Sequence, residues 1–275
     1  MIPPFPYISR TAIGPILLAV LLILMVWLHV PSAPAQIISP PAIRALSTPP
    51  PLSGEPIADN ALDIISADGL FPANEKDALA TDLRHALAYV SQRFGSGPTG
   101  RITASLDMES GCGIHGLAYT TERTVQVYTC PDLPRVRAVN ILAHEFVHQL
   151  AQDRYGNQHL QADLILLEGV ATWGAGDYWL SGQPNFAAFV RPWVAAGSTL
   201  PLASSYVGRP VGDMNTLYYE WGSFVEFLIK VYGRERFDAL YVSGNSEPGS
   251  ADYQGVYGKP LDQLEAEWKS WVITQ

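Results

Sequence analysis

Basic residues are few: 17 Lys and Arg stand against 26 Asp and Glu, giving a formal charge of −9. Without a basic stripe to track phosphates, no nucleic acid partner is expected. Cysteine is scarcer still, with two in the chain. Neither has a second thiol at a short ligand spacing, and only His115 stands near Cys112, so a thiolate-held metal is poorly supported. No period of solenoid length recurs, which removes repeat architectures. No inhibitory propeptide is evident, and nothing in the charge names a substrate.

What is present reads as a globular domain behind an export segment. Hydrophobic residues make up 48% of the chain. Ile16 to Val30 is apolar apart from His29, and Ile13 and Gly14 extend the run toward the length that spans a hydrocarbon core. Arg10 is the one charged side chain ahead of it, which favours keeping that end in the cytoplasm. The expected plan is a cytoplasmic N-terminus at 1–12, a transmembrane anchor or signal segment at 13–30, a Pro-rich linker at 31–56 and a domain at 57–275. That domain is expected to be extracytoplasmic on a single-pass anchor. Ala33-Pro34-Ala35 also fits a signal cleavage site, so the alternative is a protein secreted after a cut near Ala35.

The two cysteines fit an oxidising compartment. Cys112 and Cys130 lie symmetrically about Thr121, inside the polar run Thr120 to Thr124, which predicts a hairpin stapled by a disulfide. Elsewhere, Leu62 to Ile65 predicts a first strand, and Leu79, Leu83, Leu87, Val90 and Phe94 form one apolar stripe on a helix that Gly95 and Pro98 stop. Arg101 to Leu106 alternates as a strand, followed by Gly116 to Tyr119 and Val125 to Tyr128 as the hairpin. Asp132 is placed to cap the next helix. Further helices are expected over Gln161 to Trp173, Asn185 to Val194, Thr216 to Val231 and Leu261 to Trp271.

The chemistry centres on His144-Glu145-Phe146-Val147-His148. Imidazoles four residues apart project from one face of a helix and can ligate one metal ion together. Glu145 sits on the adjoining arc, close enough to take a proton from water without itself being a ligand. Val136, Ile141, Leu142, Phe146, Val147 and Leu150 are apolar on more than one face, so this helix is expected to be buried. In the second helix, Glu168 lies in the apolar run Leu166-Leu167-Glu168-Gly169-Val170-Ala171-Thr172, where a carboxylate needs a partner. A metal held by two imidazoles is the obvious one. Asp153, Asp163, Asp177 and His159 compete for the third position.

On HEFVH at 144–148, LLEGVAT at 166–172 and Tyr219-Glu220-Trp221-Gly222, the chain resembles a gluzincin zinc metallopeptidase, most closely the small, bacterial peptidase-MA-like branch. The resemblance implies an α+β, zincin-like catalytic domain: a small, mainly antiparallel sheet beside the motif helix, and a helical second lobe. It implies Zn²⁺ on His144, His148 and Glu168, Glu145 as the general base, and Tyr219 as donor to the developing oxyanion, with a peptide or protein as substrate. Two departures matter. Thr172 stands where thermolysin-like enzymes place an aspartate behind a ligand histidine. Ile114-His115-Gly116-Leu117 sits where aminopeptidases carry the glutamate that grips a free amine, so cleavage within a chain is favoured over trimming from its end. The alternative is a membrane-tethered zinc-binding or sensing domain without turnover.

Overall fold

A computed structural model describes residues 61–275. The expected cytoplasmic end, membrane segment and linker lie outside these residues. Among the described residues, no helix is long and apolar enough to cross a membrane.

β1 (Leu62–Ser66) and β2 (Ile102–Met108) run parallel, with Leu62 opposite Ile102. A parallel pair needs a crossover, and α1 (Lys76–Phe94) supplies it. The predicted stripe is its buried face, from Leu79 to Phe94. Gly95 ends the helix at φ 89°, donating its N–H to the Ser91 carbonyl, a left-handed turn that glycine adopts without a Cβ penalty.

The predicted hairpin forms from β3 (His115–Tyr119) and β4 (Thr124–Thr129), with Gly116 opposite Val127. β4 inserts beside β2, giving the order β1-β2-β4-β3. The expectation of a mainly antiparallel sheet is therefore corrected: β1–β2 and β2–β4 are parallel, and β3–β4 alone is antiparallel. Inward-facing side chains explain this order. β4 offers Val125 and Val127 to the face that buries Ile102, Ala104 and Leu106, whereas β3 offers only Gly116 and Ala118 and is left at the edge. Cys112 and Cys130 are bridged, Cα to Cα 5.0 Å, and close the open end of the hairpin. A loop of this size makes the bridge worth roughly 3 kcal/mol in the chain-entropy account.

The motif helix α2 (Arg135–Tyr155) follows Pro134, which occupies the cap position without any side-chain hydrogen bond. Asp132 does not cap it. The N–H of Leu133 turns back to the Cys130 carbonyl, so Asp132 belongs to the preceding turn. As its apolar pattern predicts, α2 is buried on most sides, including Leu142, Phe146, Val147 and Leu150. A 3-10 stretch (Gly156–Gln161) leads to α3 (Leu164–Ala175), capped by Asp163, whose Oδ1 accepts the Ile165 N–H at 2.9 Å. Then come α4 (Asp177–Leu180), α5 (Phe186–Ala195), α6 (Val211–Tyr232), α7 (Arg234–Tyr241), α8 (Tyr253–Tyr257) and α9 (Leu261–Thr274). The short helices α4, α7 and α8 carry too few turns to register as a period in the sequence.

Glycines set the contact that matters for the site. A Cβ on Gly169 of α3 would lie 2.8 Å from the Trp221 carbonyl oxygen and 2.8 Å from Val225 Cγ2, and one on Gly222 of α6 would lie 3.0 Å from Thr172 Cγ2. The two backbones thus meet closely, and this fixes how α6 is rotated about its own axis.

Candidate metal centre

His144 and His148 share one face of α2, as their spacing requires, and Glu168 approaches from α3. Glu168 Oε2 lies 3.2 Å from His144 Nε2 and 3.6 Å from His148 Nε2, and the two Nε2 atoms are 3.2 Å apart. All three residues are buried. Two ring nitrogens and a carboxylate oxygen are turned toward one point, with His144 Nε2 and Glu168 Oε2 within hydrogen-bond distance of each other. Tetrahedral zinc with ligand bonds of about 2.0–2.1 Å puts neighbouring donors about 3.3 Å apart. The observed separations match that spacing, so the donor set fits zinc in chemistry and in size. Burial alone would push the Glu168 carboxyl up, but hydrogen bonding and charge from His144 and His148 outweigh it and hold the group well below the usual carboxylate range.

Glu145 faces the same cavity, of about 340 Å³, and is not part of the convergent group. Burial pushes its carboxyl up to about 7, with His148 opposing and the Glu168 charge adding to the shift. β3 presses on this carboxylate at Gly116, where a Cβ would come within 2.8 Å of Glu145 Cδ. Glycine here is a matter of space and not of backbone angle. The hairpin thereby forms one wall of the cavity, which Gly116, Leu117, Ala118 and Thr120 line.

Two of the rival ligands, Asp153 and Asp163, are engaged elsewhere. Asp153 pairs with Arg123 at 2.5 Å. Asp163 accepts the N–H groups of Ile165, Gly249 and Ala251 and the hydroxyl of Tyr253. Asp177 lies outside the cavity lining, whereas His159 lines it but has its Nδ1 2.9 Å from the Tyr241 hydroxyl. His144 keeps its orientation in an unusual way. Among the described residues its Nδ1 is buried without a hydrogen-bond partner, and so is the Oγ1 of Thr172. The ring is instead stacked on Trp179, centroids 5.1 Å apart, and Trp179 is itself fixed by an Nε1–H bond to the Asn140 carbonyl.

Tyr219, expected to be the oxyanion donor, and its neighbour Tyr218 turn to different surroundings. Tyr219 donates its hydroxyl to the Trp179 carbonyl at 3.0 Å and stacks on Phe189 at 4.0 Å, outside the cavity. Tyr218 lines the cavity instead, its ring 5.8 Å from that of His144. Burial raises its hydroxyl far above the ordinary value, with the Glu168 charge adding, so the phenol stays protonated. One helical residue turns a side chain by about 100°, so the two cannot share a direction. Tyr218, Trp221, Gly222 and Val225 are spaced as one stripe, on the α6 face that meets α3 at Gly169.

No family model and no curated protein matches the sequence. Among solved structures, the chain is similar to the M1 zinc metallopeptidase from Deinococcus radiodurans, at 22% identity and a TM-score of 0.41 over 76% of this chain and 47% of that one. A point mutant of the same enzyme gives 22% identity and 0.42 over 74% and 47%. The chain spans about half the length of that enzyme. What the site can do follows from its own residues: a buried His-His-Glu donor set able to hold a metal, a carboxylate beside it, and a phenol, Tyr218, on the same cavity lining.

Proposed function

We propose that the chain is a zinc-dependent metallopeptidase that cleaves within peptide chains outside the cytoplasm. The supporting observation is the convergence of His144 Nε2, His148 Nε2 and Glu168 Oε2 at tetrahedral spacing, with Glu145 buried beside them and not among them. Holding a metal requires no such extra carboxylate. When bound, zinc supplies Lewis acidity, which makes water nucleophilic near neutral pH and draws electron density from a carbonyl.

The chain's own residues supply the rest. Glu145 takes the proton of the attacking water and returns it to the leaving amine. Tyr218 donates its O–H to the carbonyl oxygen as negative charge grows there. The outer edge of β3, unpaired among the described residues, binds an extended peptide by adding a strand along Gly116 to Tyr119. Among the described residues, Glu145 and Glu168 are the only carboxylates lining the cavity, which favours internal cleavage over capture of a free amine. The Cys112–Cys130 bridge supports an oxidising compartment, in keeping with a membrane-anchored or secreted chain.

The second reading, a zinc-binding or sensing domain without turnover, draws on the unpartnered Nδ1 of His144. One experiment separates the two. The full-length chain is analysed for metal and incubated with fluorescent casein, with and without phenanthroline. One equivalent of zinc and chelator-sensitive cleavage are expected, and Glu145→Gln should keep the zinc and lose the cleavage. Stoichiometric zinc without cleavage would give the site to the sensing reading.

A further inference from the structure

His159 stands on the 3-10 stretch that joins the motif helix to α3, and the loop after α7 holds that stretch in place. Ser246 donates its N–H to the Gln161 carbonyl at 2.9 Å and its hydroxyl to the Leu160 carbonyl at 3.1 Å. The His159 side chain is buried and lines the cavity, its ring 5.7 Å from that of His148. Its Nδ1 lies 2.9 Å from the hydroxyl of Tyr241, the last residue of α7. Tyr241 fixes which nitrogen carries the proton. A phenol has one proton, and a buried donor without an acceptor is costly. Tyr241 is fully buried and, among the described residues, His159 Nδ1 is the one hydrogen-bond partner of its hydroxyl. The phenol therefore donates, Nδ1 accepts, and the ring proton sits on Nε2. Among the described residues Nε2 has no hydrogen-bond partner, and it is not one of the polar atoms sealed in the interior without one, so its N–H opens on the cavity. The same proton keeps Nε2 from ligating a metal, in agreement with the absence of His159 from the convergent group.

We propose that His159 is a substrate-binding residue, which donates its Nε2–H to a backbone carbonyl of the bound peptide on the His148 side of the site. The inference rests on the peptidase reading given above. The cavity selects the acceptor. Glu145 and Glu168 line it and, among the described residues, no Lys or Arg does, so an anionic group is repelled and a neutral carbonyl oxygen fits. Leu160, next in the chain, lines the same cavity and is 58% exposed, which offers apolar surface to the side chain beside that carbonyl. A strand added to the β3 edge can slip along it, and a side-chain donor at one fixed point pins its register. The bond to Tyr241 holds the imidazole in place before the peptide arrives, so little ordering is left to be done on binding.

The test uses the full-length chain carrying ¹⁵N-histidine, observed by NMR without zinc. His159, identified by the resonances lost in His159→Gln, is expected to show a protonated Nε2 and a bare Nδ1, and Tyr241→Phe should move the Nδ1 resonance. A protonated Nδ1 in the parent would overturn the proposal. On fluorescent casein the zinc-loaded His159→Phe protein should show KM raised about tenfold, the loss expected for one neutral hydrogen bond, with kcat and zinc content held. His159→Gln keeps an N–H at the end of a side chain of similar reach and should recover most of that loss, a rescue that a merely structural role does not give. Unchanged KM in His159→Phe, or a fall in kcat alone, would overturn the proposal. Fluorescence polarisation of labelled casein on the metal-free chain separates this inference from the peptidase reading. Casein bound by the parent about tenfold more tightly than by His159→Phe, but not cleaved when zinc is loaded, would sink the peptidase reading and keep His159 as the donor. Cleavage with an affinity indifferent to His159 would do the reverse, and neither binding nor cleavage would remove both.

Discussion

Gly116→Ala adds one methyl group where the hairpin meets the proposed base. Gly116 is not among the residues with positive φ, so its backbone accepts alanine and any effect must come from space. The new Cβ would fall 2.5 Å from Ile141 Cγ2 and 2.8 Å from Glu145 Cδ, and nearer still to Glu145 Oε1. Non-bonded carbons rest about 3.5–4.0 Å apart, so something must give by about 1 Å. Ile141 is on the motif helix, inside the core contact, and β3 is tied to β4 by its ladder and by the Cys112–Cys130 bridge. The freest group is the Glu145 carboxylate itself. Overpacking of this kind costs about 1–3 kcal/mol of stability. A reacting group displaced by about 1 Å costs about 10²-fold in rate. Zinc content by atomic emission, melting followed by circular dichroism and initial rates on fluorescent casein together should show zinc retained, a modest fall in Tm and kcat lower by about 10² at similar KM. Turnover within twofold of the parent, with zinc intact, would refute the claim that β3 fixes the base.

Tyr218→Phe is expected to lower kcat by about 10² with KM and zinc content held. Tyr219→Phe should leave the rate nearly unchanged and cost about 1 kcal/mol of stability through the lost bond to the Trp179 carbonyl; steady-state kinetics and urea melts of both variants check the pair, and a reversed order would return the role to Tyr219. Glu168→Ala removes one of the three convergent donors and should lower zinc affinity by at least about tenfold in competition with a chromogenic chelator, whereas unchanged affinity would mean that another residue is the ligand. Burial holds the Glu220 carboxyl up at about 8 against an ordinary value of 4.5, so the folded chain keeps a proton that the unfolded chain releases. Stability from this group is present below about pH 4.5 and drains as pH rises toward about 8, so Glu220→Gln should match the parent near pH 4.5 and exceed it by on the order of 3 kcal/mol at pH 7. Urea unfolding at the two pH values checks this, and a difference that does not change with pH would contradict it.

The sequence by itself determined the features that depend on local periodicity. Helical geometry alone puts His144 and His148 on one face, the apolar positions around them require a buried helix, and a lone glutamate among Leu166, Leu167 and Val170 requires a partner. The stripe from Leu79 to Phe94 and the symmetry of Cys112 and Cys130 about a polar turn are readable for the same reason, since each concerns residues close along the chain. Tertiary structure alone decided the rest. Alternation marks Ile102 to Met108 as a half-buried strand but does not say that β4 runs parallel beside it, because strand partners are chosen by which inward side chains fill the shared core. Which of two adjacent tyrosines faces the cavity depends on the rotation of α6. Contacts between that helix and α3 at Gly169 and Gly222, far apart in sequence, set the rotation that turns Tyr218 to the cavity beside His144 and Tyr219 to Phe189 and Trp179.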